Sequence, residues 1–325
     1  MRLRGKVRRQ CVVWNEQMST LSQGGLWVIL LAGGDGKRVR ALTTTEAGVG
    51  VPKQFWKLDG QESMLGWALR RAAGIAPPSR FIPVVSEAHR FWWQRELSHL
   101  PPANVVVQPA NRGTAPGVLL PLLRILSRDP EATVAVLPSD HFVANEGIIR
   151  VALLDALAVV NRHRSRVVLI GMKPQSVDVG FGWIMACRGS HGPVRKVSRF
   201  IEKPDRITAL RLKRQGGLVN SLMLVACGAG LLRMFKKTVP ALVDAFQEVQ
   251  RNGTCDASEV RALYRHLPAS DFSKEVLQSD PRGLWVAPVS NSGWNDLGTP
   301  MRLKSHQNSR ISTHPVERVL GESPR

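Results

Sequence analysis

From Leu26 onward, short apolar runs alternate with longer stretches whose apolar residues recur at helical spacing, and few architectures accept that rhythm. Runs too short for a helix and bounded by Gly, Pro or charge read as buried strands, and the amphipathic stretches between them read as helices covering a sheet. Strands are expected at Trp27–Leu31, Phe81–Val85, Asn104–Val107, Thr133–Leu137 and Arg166–Ile170, with helices at Glu62–Ala73, Ala88–Leu97, Ala115–Leu126 and Ile148–Arg162. After Gly171 the rhythm changes. Gly182–Cys187, Val194–Ile201 and Leu218–Ala226 are all strand-like with only short helices between some of them, which predicts a more antiparallel addition to a mostly parallel α/β sheet. No repeat or low-complexity linker divides the chain. One elaborated domain over residues 26–303 is therefore expected, with a basic, mobile extension at 1–25 and a tail at 304–325.

The chain has 325 residues and a net charge of +20, which draws polyanions of any kind. That excess is spread along the chain rather than gathered on one reading surface, so nucleic acid is not the expected partner. The four cysteines, Cys11, Cys187, Cys227 and Cys255, form no CxxC pair, and neither a zinc site nor a disulfide framework is expected. No run approaches a membrane span and no leader is evident, so a cytoplasmic protein is expected.

The stretch LLAGGDGKR, Leu30 to Arg38, leaves the first strand with three glycines and two cations. Glycines there let backbone amides approach an anion, and Lys37 and Arg38 add charge beside it. It is neither a P-loop nor a dinucleotide fingerprint, since Leu31 and Arg38 replace the required Gly and Ser or Thr of the first and Val39 the third Gly of the second. It reads as a phosphate cradle or as a plain strand-to-helix turn. Two carboxylates stand at other strand ends, Asp140 in PSDH and Asp296 in GWNDLGTP. Each suits a hard cation such as Mg²⁺ or the capping of a following helix. Lys53 in PKQF and Glu202–Lys203 in IEKP have their backbones fixed by a neighbouring Pro, and either lysine is a phosphate ligand or a solvated surface cation. The sequence holds no GxSxG elbow and no HExxH, so covalent catalysis is not indicated.

In order, LLAGGDGKR, PKQF, QPANRGTAP, LPSDH, GFGWI, FIEKP, LVNSLM, DFSKEVL and GWNDLGTP resemble the sugar-1-phosphate nucleotidyltransferases, with PKQF and RxTAP most similar to the mannose-1-phosphate guanylyltransferases. The resemblance runs from Trp27 to Leu303. It implies a Rossmann-like sheet of glycosyltransferase-A type, an NTP (GTP) and a sugar 1-phosphate as partners, Mg²⁺ as cofactor, and one displacement at the α-phosphorus. Leu31, Ala32, Gly33, Gly34 and Gly36 would hold the triphosphate, and Arg38 and Lys53 would act at the reacting phosphates. Gln108, Arg112, Thr114 and Pro116 would lie along the base. Asp140 and Asp296 would hold the metal, while Gly182, Glu202, Lys203 and Asn220 would receive the sugar phosphate. A homodimer is an assembly such a chain could form.

The chain departs from the family pattern at named places. Lys37 stands for the loop Thr, Gly113 for the Asn of the base segment, and Val219 and Leu222 for the Trp and Gly of the sugar segment. These changes bear on base and sugar choice, and they keep open the same chemistry on another pair of substrates or a catalytically weak homologue that binds nucleotide sugars. Thr43–Val51, where the family has a short loop, is expected to form a mobile lid. Some relatives add a C-terminal isomerase or left-handed β-helix, and the residues from Lys304 on are too few for either.

Overall fold

The apolar runs pair into one nine-stranded sheet in this computed structural model, which describes residues 25–45, 48–251 and 257–304. The strands are β1 (Leu26–Ala32), β2 (Phe81–Ser86), β3 (Val106–Gln108), β4 (Thr133–Pro138), β5 (Val167–Met172), β6 (Trp183–Ala186), β7 (Arg195–Ile201), β8 (Leu218–Cys227) and β9 (Leu284–Val289). Their order is β3-β2-β1-β4-β8-β5-β9-β7-β6. Parallel ladders join β1 to β2 and β4, β2 to β3, and β5 to β9. Antiparallel ladders tie β8 to β4 and β5, and β6 and β7 to each other and to the sheet. The expected change of rhythm after Gly171 is thus a change of strand direction, and the later strands extend the same sheet.

Strands such as β2, β4 and β5 are buried along their whole length because helices cover both faces, which is why they read as unbroken apolar runs rather than alternating ones. One face carries α1 (Met64–Ala73), α2 (Arg90–Glu96), α4 (Glu146–Arg162) and α5 (Arg206–Arg214), and the other α3 (Thr114–Arg128), α6 (Gly228–Thr238), α7 (Pro240–Arg251) and α8 (Ala257–His266). The starts of three helices are fixed by side-chain caps: Ser63 accepts from the amide of Gly66, Asn145 from Ile148, and Asp205 from Thr208.

Each expected strand and helix is present, with ends shifted by one to a few residues, while the helices Gly228–Thr238, Pro240–Arg251 and Ala257–His266 were not expected. The third strand begins at Val106 because Pro101 and Pro102 put Pro102–Asn104 into a 3₁₀ turn. Within Thr43–Val51, Thr44 bridges Gly50 in a tight hairpin, and residues 46–47 lie outside the described residues. So do residues 1–24 of the expected extension and 305–325 of the expected tail, along with Cys11 and Cys255. Cys187 and Cys227 are free thiols, and no helix among the described residues is long and apolar enough to cross a membrane.

Candidate active site

Where β1 ends, the chain must turn without covering the ends of its neighbours. Gly36 takes φ 60° there, a left-handed conformation that costs a glycine little, and a Cβ on it would stand 3.1 Å from Lys53. The loop is tied from below. Gln54, buried, donates its side-chain amide to the carbonyls of Ala32 (2.8 Å) and Gly34 (3.0 Å), and Ser139 donates its hydroxyl to Leu31 (2.7 Å). The result is a cleft of about 430 Å³ beyond the carboxyl ends of β1, β2, β3 and β4. The amino end of α3 opens onto it through Gly113, Thr114 and Gly117, and its positive dipole end favours an anion.

Lys53 lies at the floor of this cleft with only 4% of its surface exposed. Its ammonium donates to Asp140 Oδ2 at 2.8 Å and to the backbone carbonyl of Asp296, so two residues 156 positions apart in sequence meet at one cation. Neither carboxylate caps a helix: Asn145 caps α4, and Asp296 receives the amide of Gly298. Burial alone would raise the Asp140 carboxyl, but the Lys53 ammonium beside it holds it below the ordinary aspartate range. Burial pushes His141 down to about 4, so it is neutral. Its Nδ1 accepts from the Trp294 indole at 3.2 Å, which leaves the proton on Nε2, 3.7 Å from Asp140.

A second cluster adjoins the first. Glu202 is set by its amide donating to Gln278 at 2.6 Å, and its carboxylate pairs with Lys203 at 3.3 Å through Oε1. Oε2 is buried with no hydrogen-bond partner. Burial first, with Asp271 adding to it against Lys203, holds this carboxyl above the ordinary glutamate range. Gly182 leaves room for it, since a Cβ there would stand 2.4 Å from Oε2. Asn220 donates its amide to Gly182 (2.7 Å) and its side chain to Ser273 (3.3 Å), while its Oδ1 accepts from Leu222 (3.1 Å). Leu222, which bonds Asn220, and Asp271, whose charge acts on Glu202, also line the first cleft, so the two clusters are neighbours.

The expected residues therefore divide. Leu31, Ala32, Gly33, Gly34, Gly36, Arg38, Lys53, Gln108, Thr114, Asp140 and Asp296 line the cleft, and Gly182, Glu202, Lys203 and Asn220 form the adjoining cluster. Arg112 does not face the cleft: its guanidinium is spent on the carbonyls of Tyr264 (2.8 Å) and Arg265 (3.0 Å). Pro116 is buried in the first turn of α3. Gly113 takes φ 90°, and a Cβ on it would meet the Ser270 carbonyl at 2.2 Å, so no larger residue fits the packed loop. Gln54, Ser139 and Asp271 were not singled out from the sequence, although they stand inside PKQF, PSDH and DFSKEVL.

The profile of the family described as nucleotidyl transferase matches residues 27–311. The chain belongs to the nucleotidyl transferase family. It is 31% identical over 277 residues to the xanthan biosynthesis protein XanB of Xanthomonas campestris, covering 83% of this chain and 57% of that protein. It is 28% identical over 309 residues to a mannose-1-phosphate guanylyltransferase of Escherichia coli, covering 91% of this chain and 62% of that one. The chain thus spans little more than half the length of these relatives. Among solved structures, a Thermus thermophilus protein described as mannose-1-phosphate geranyltransferase superposes with a TM-score of 0.72 at 24% identity, covering 84% of this chain and 76% of its own, which is a likeness of fold.

The carboxylates of Asp140 and Asp296 both line the cleft, and oxygen donors of that kind suit a hard divalent cation completed by substrate phosphates and water. No group of three or more His, Cys, Asp or Glu gathers for a metal among the described residues.

Proposed function

We propose that the chain transfers a nucleotidyl group from an NTP, GTP by its likeness to guanylyltransferases, to a sugar 1-phosphate, mannose 1-phosphate by the same likeness. The observation that carries this reading is Lys53 beneath the glycine loop, bonded to the Asp140 carboxylate and to the Asp296 backbone, with a buried and unpartnered Glu202 oxygen in the neighbouring cluster. The glycine loop and the amino end of α3 receive the triphosphate, with Arg38 at its edge. Glu202 accepts from sugar hydroxyls, and Lys203 and Asn220 orient the sugar phosphate. A phosphate oxygen of the sugar then forms its bond to the α-phosphorus while the bond from that phosphorus to the pyrophosphate oxygen breaks. Lys53 holds its charge against the phosphates through that step. Asp140 and Asp296 would hold Mg²⁺, which when bound neutralises charge on the triphosphate. The rate gain comes from alignment and preorganised charge rather than from a covalent intermediate.

The test is pyrophosphate release from purified protein with Mg²⁺, over GTP, ATP, UTP, CTP and dTTP against mannose 1-phosphate and glucose 1-phosphate. Release that requires both GTP and mannose 1-phosphate is expected. Release with a different pair reassigns the pockets, and no release with any pair overturns the reading.

A further inference from the structure

On the far side of Asp296 from the cleft lies a second, polar cavity of about 460 Å³ at the carboxyl ends of β5 and β9. Arg302 lines this second cavity and reaches Asp296, which lines both. Its side chain is only 18% exposed, and Nη1 donates to Asp296 Oδ1 at 2.5 Å while Nη2 pairs with Asp178. The ring of Phe181 lies under the guanidinium at 4.4 Å. The amide of Gly298 donates to that same Oδ1 at 3.2 Å. Oδ2 is left beside Gly298, which with Arg38 lines the cleft.

We infer that Arg302 is a positioning residue for Asp296: it fixes one carboxylate oxygen, presents the other to the cleft, and by its charge keeps the carboxylate from capturing a free divalent cation. The inference rests on the proposed role of Asp296 as a cation ligand. Its physical basis is charge balance. Asp140 is paired with Lys53, and Asp296 with an arginine it shares with Asp178, so a cation entering alone meets carboxylates whose negative charge is largely offset. The triphosphate restores that charge, and the metal is retained with nucleotide. Asp178 sets the strength of the brace by sharing the guanidinium.

The experiment titrates Mn²⁺ alone into the full chain, reading free Mn²⁺ by its paramagnetic resonance signal, beside steady-state turnover. Arg302→Met is expected to bind Mn²⁺ about tenfold more tightly, because a like charge next to the ligand has gone, and to lose about tenfold in kcat with little change in the KM for GTP. The gain in Mn²⁺ affinity should vanish in an Asp296→Asn background. Arg302→Lys should restore the weak Mn²⁺ binding, and Asp178→Asn should weaken it further by giving the guanidinium wholly to Asp296. A merely structural arginine would lower metal affinity, kcat and thermal midpoint together, and that outcome overturns the inference, as does an unmoved Mn²⁺ affinity in Arg302→Met. The Mn²⁺ arm needs no substrate. If no substrate pair turns over yet Arg302→Met still tightens Mn²⁺ binding through Asp296, the brace stands and the proposed reaction falls.

Discussion

The two ends of the cleft are built on opposite principles. Around Lys53 the charges answer one another: Asp140 has the ammonium, Asp296 has Arg302, and the glycine loop is tied down by Gln54 and Ser139. Around Glu202 the structure carries unmet demands. One carboxylate oxygen is buried without a partner; Lys203 and Leu222 sit at φ 45° and 61°, a region costing a non-glycine residue roughly 1–2 kcal/mol, a strain that Leu297 beside Asp296 shares at φ 48°. Strand direction underlies the contrast. The first end lies at the carboxyl ends of adjacent parallel strands, where loops fan outward, while the second is assembled from antiparallel strands whose registers shift at Gly171 and Ala186. A site complete in itself holds charge ready for chemistry, and a site with an unpartnered acceptor is completed by its ligand.

Substitutions can break this contrast. Asp140→Asn should cost the most, on the order of 10² to 10³ in kcat, because it removes charge where the reacting phosphates are stabilised. Near-normal turnover would show that the first end is not the reacting one. Glu202→Gln should act on the other end only, raising the KM for the sugar phosphate roughly 10- to 100-fold, the worth of a hydrogen bond to a charged group, and leaving the KM for GTP alone. A rise in both constants would mean the two ends are not separate in function. Lys203→Ala should raise the sugar-phosphate KM by about tenfold at low salt, and the effect should shrink as salt rises because the lysine is exposed. The smallest effect concerns strain. At position 222, Gly should be more stable than Ala by about 1 kcal/mol, the reverse of the usual order in a strand, as read by thermal or urea unfolding.

How far the sequence led also differs between the ends. The strand-to-loop junctions at Leu30–Arg38 and Leu137–His141 could be located directly, since an apolar run that stops at Gly or Asp marks a strand end, while cradle or plain turn, and cation ligand or helix cap, stayed open there. The chemistry of Lys53 could not be weighed there, because nothing local says that a lysine in PKQF is buried; the partner that buries it comes from Asp140 and Asp296 far along the chain. Gly113 shows the opposite limit. As a departure from the family pattern it bears on base choice, whereas in the fold it is the only residue the Ser270 carbonyl admits. Arg112 carried the right charge in the right segment and is turned onto α8 by carbonyls that sequence spacing does not reveal. Arg302 had no signal at all, since an arginine in a terminal turn is ordinarily solvated.

Direct transfer between two ligands held at once in the two neighbouring clusters is the claim on which the rest depends. It is tested by incubating the protein with GTP, Mg²⁺ and labelled pyrophosphate, with and without the nucleotide-sugar couple. Label should enter GTP only when GDP-mannose or mannose 1-phosphate is present, because direct transfer passes through no nucleotidyl-protein intermediate. Exchange of label into GTP in the absence of any sugar would contradict the account, since it requires a nucleotidyl-protein intermediate.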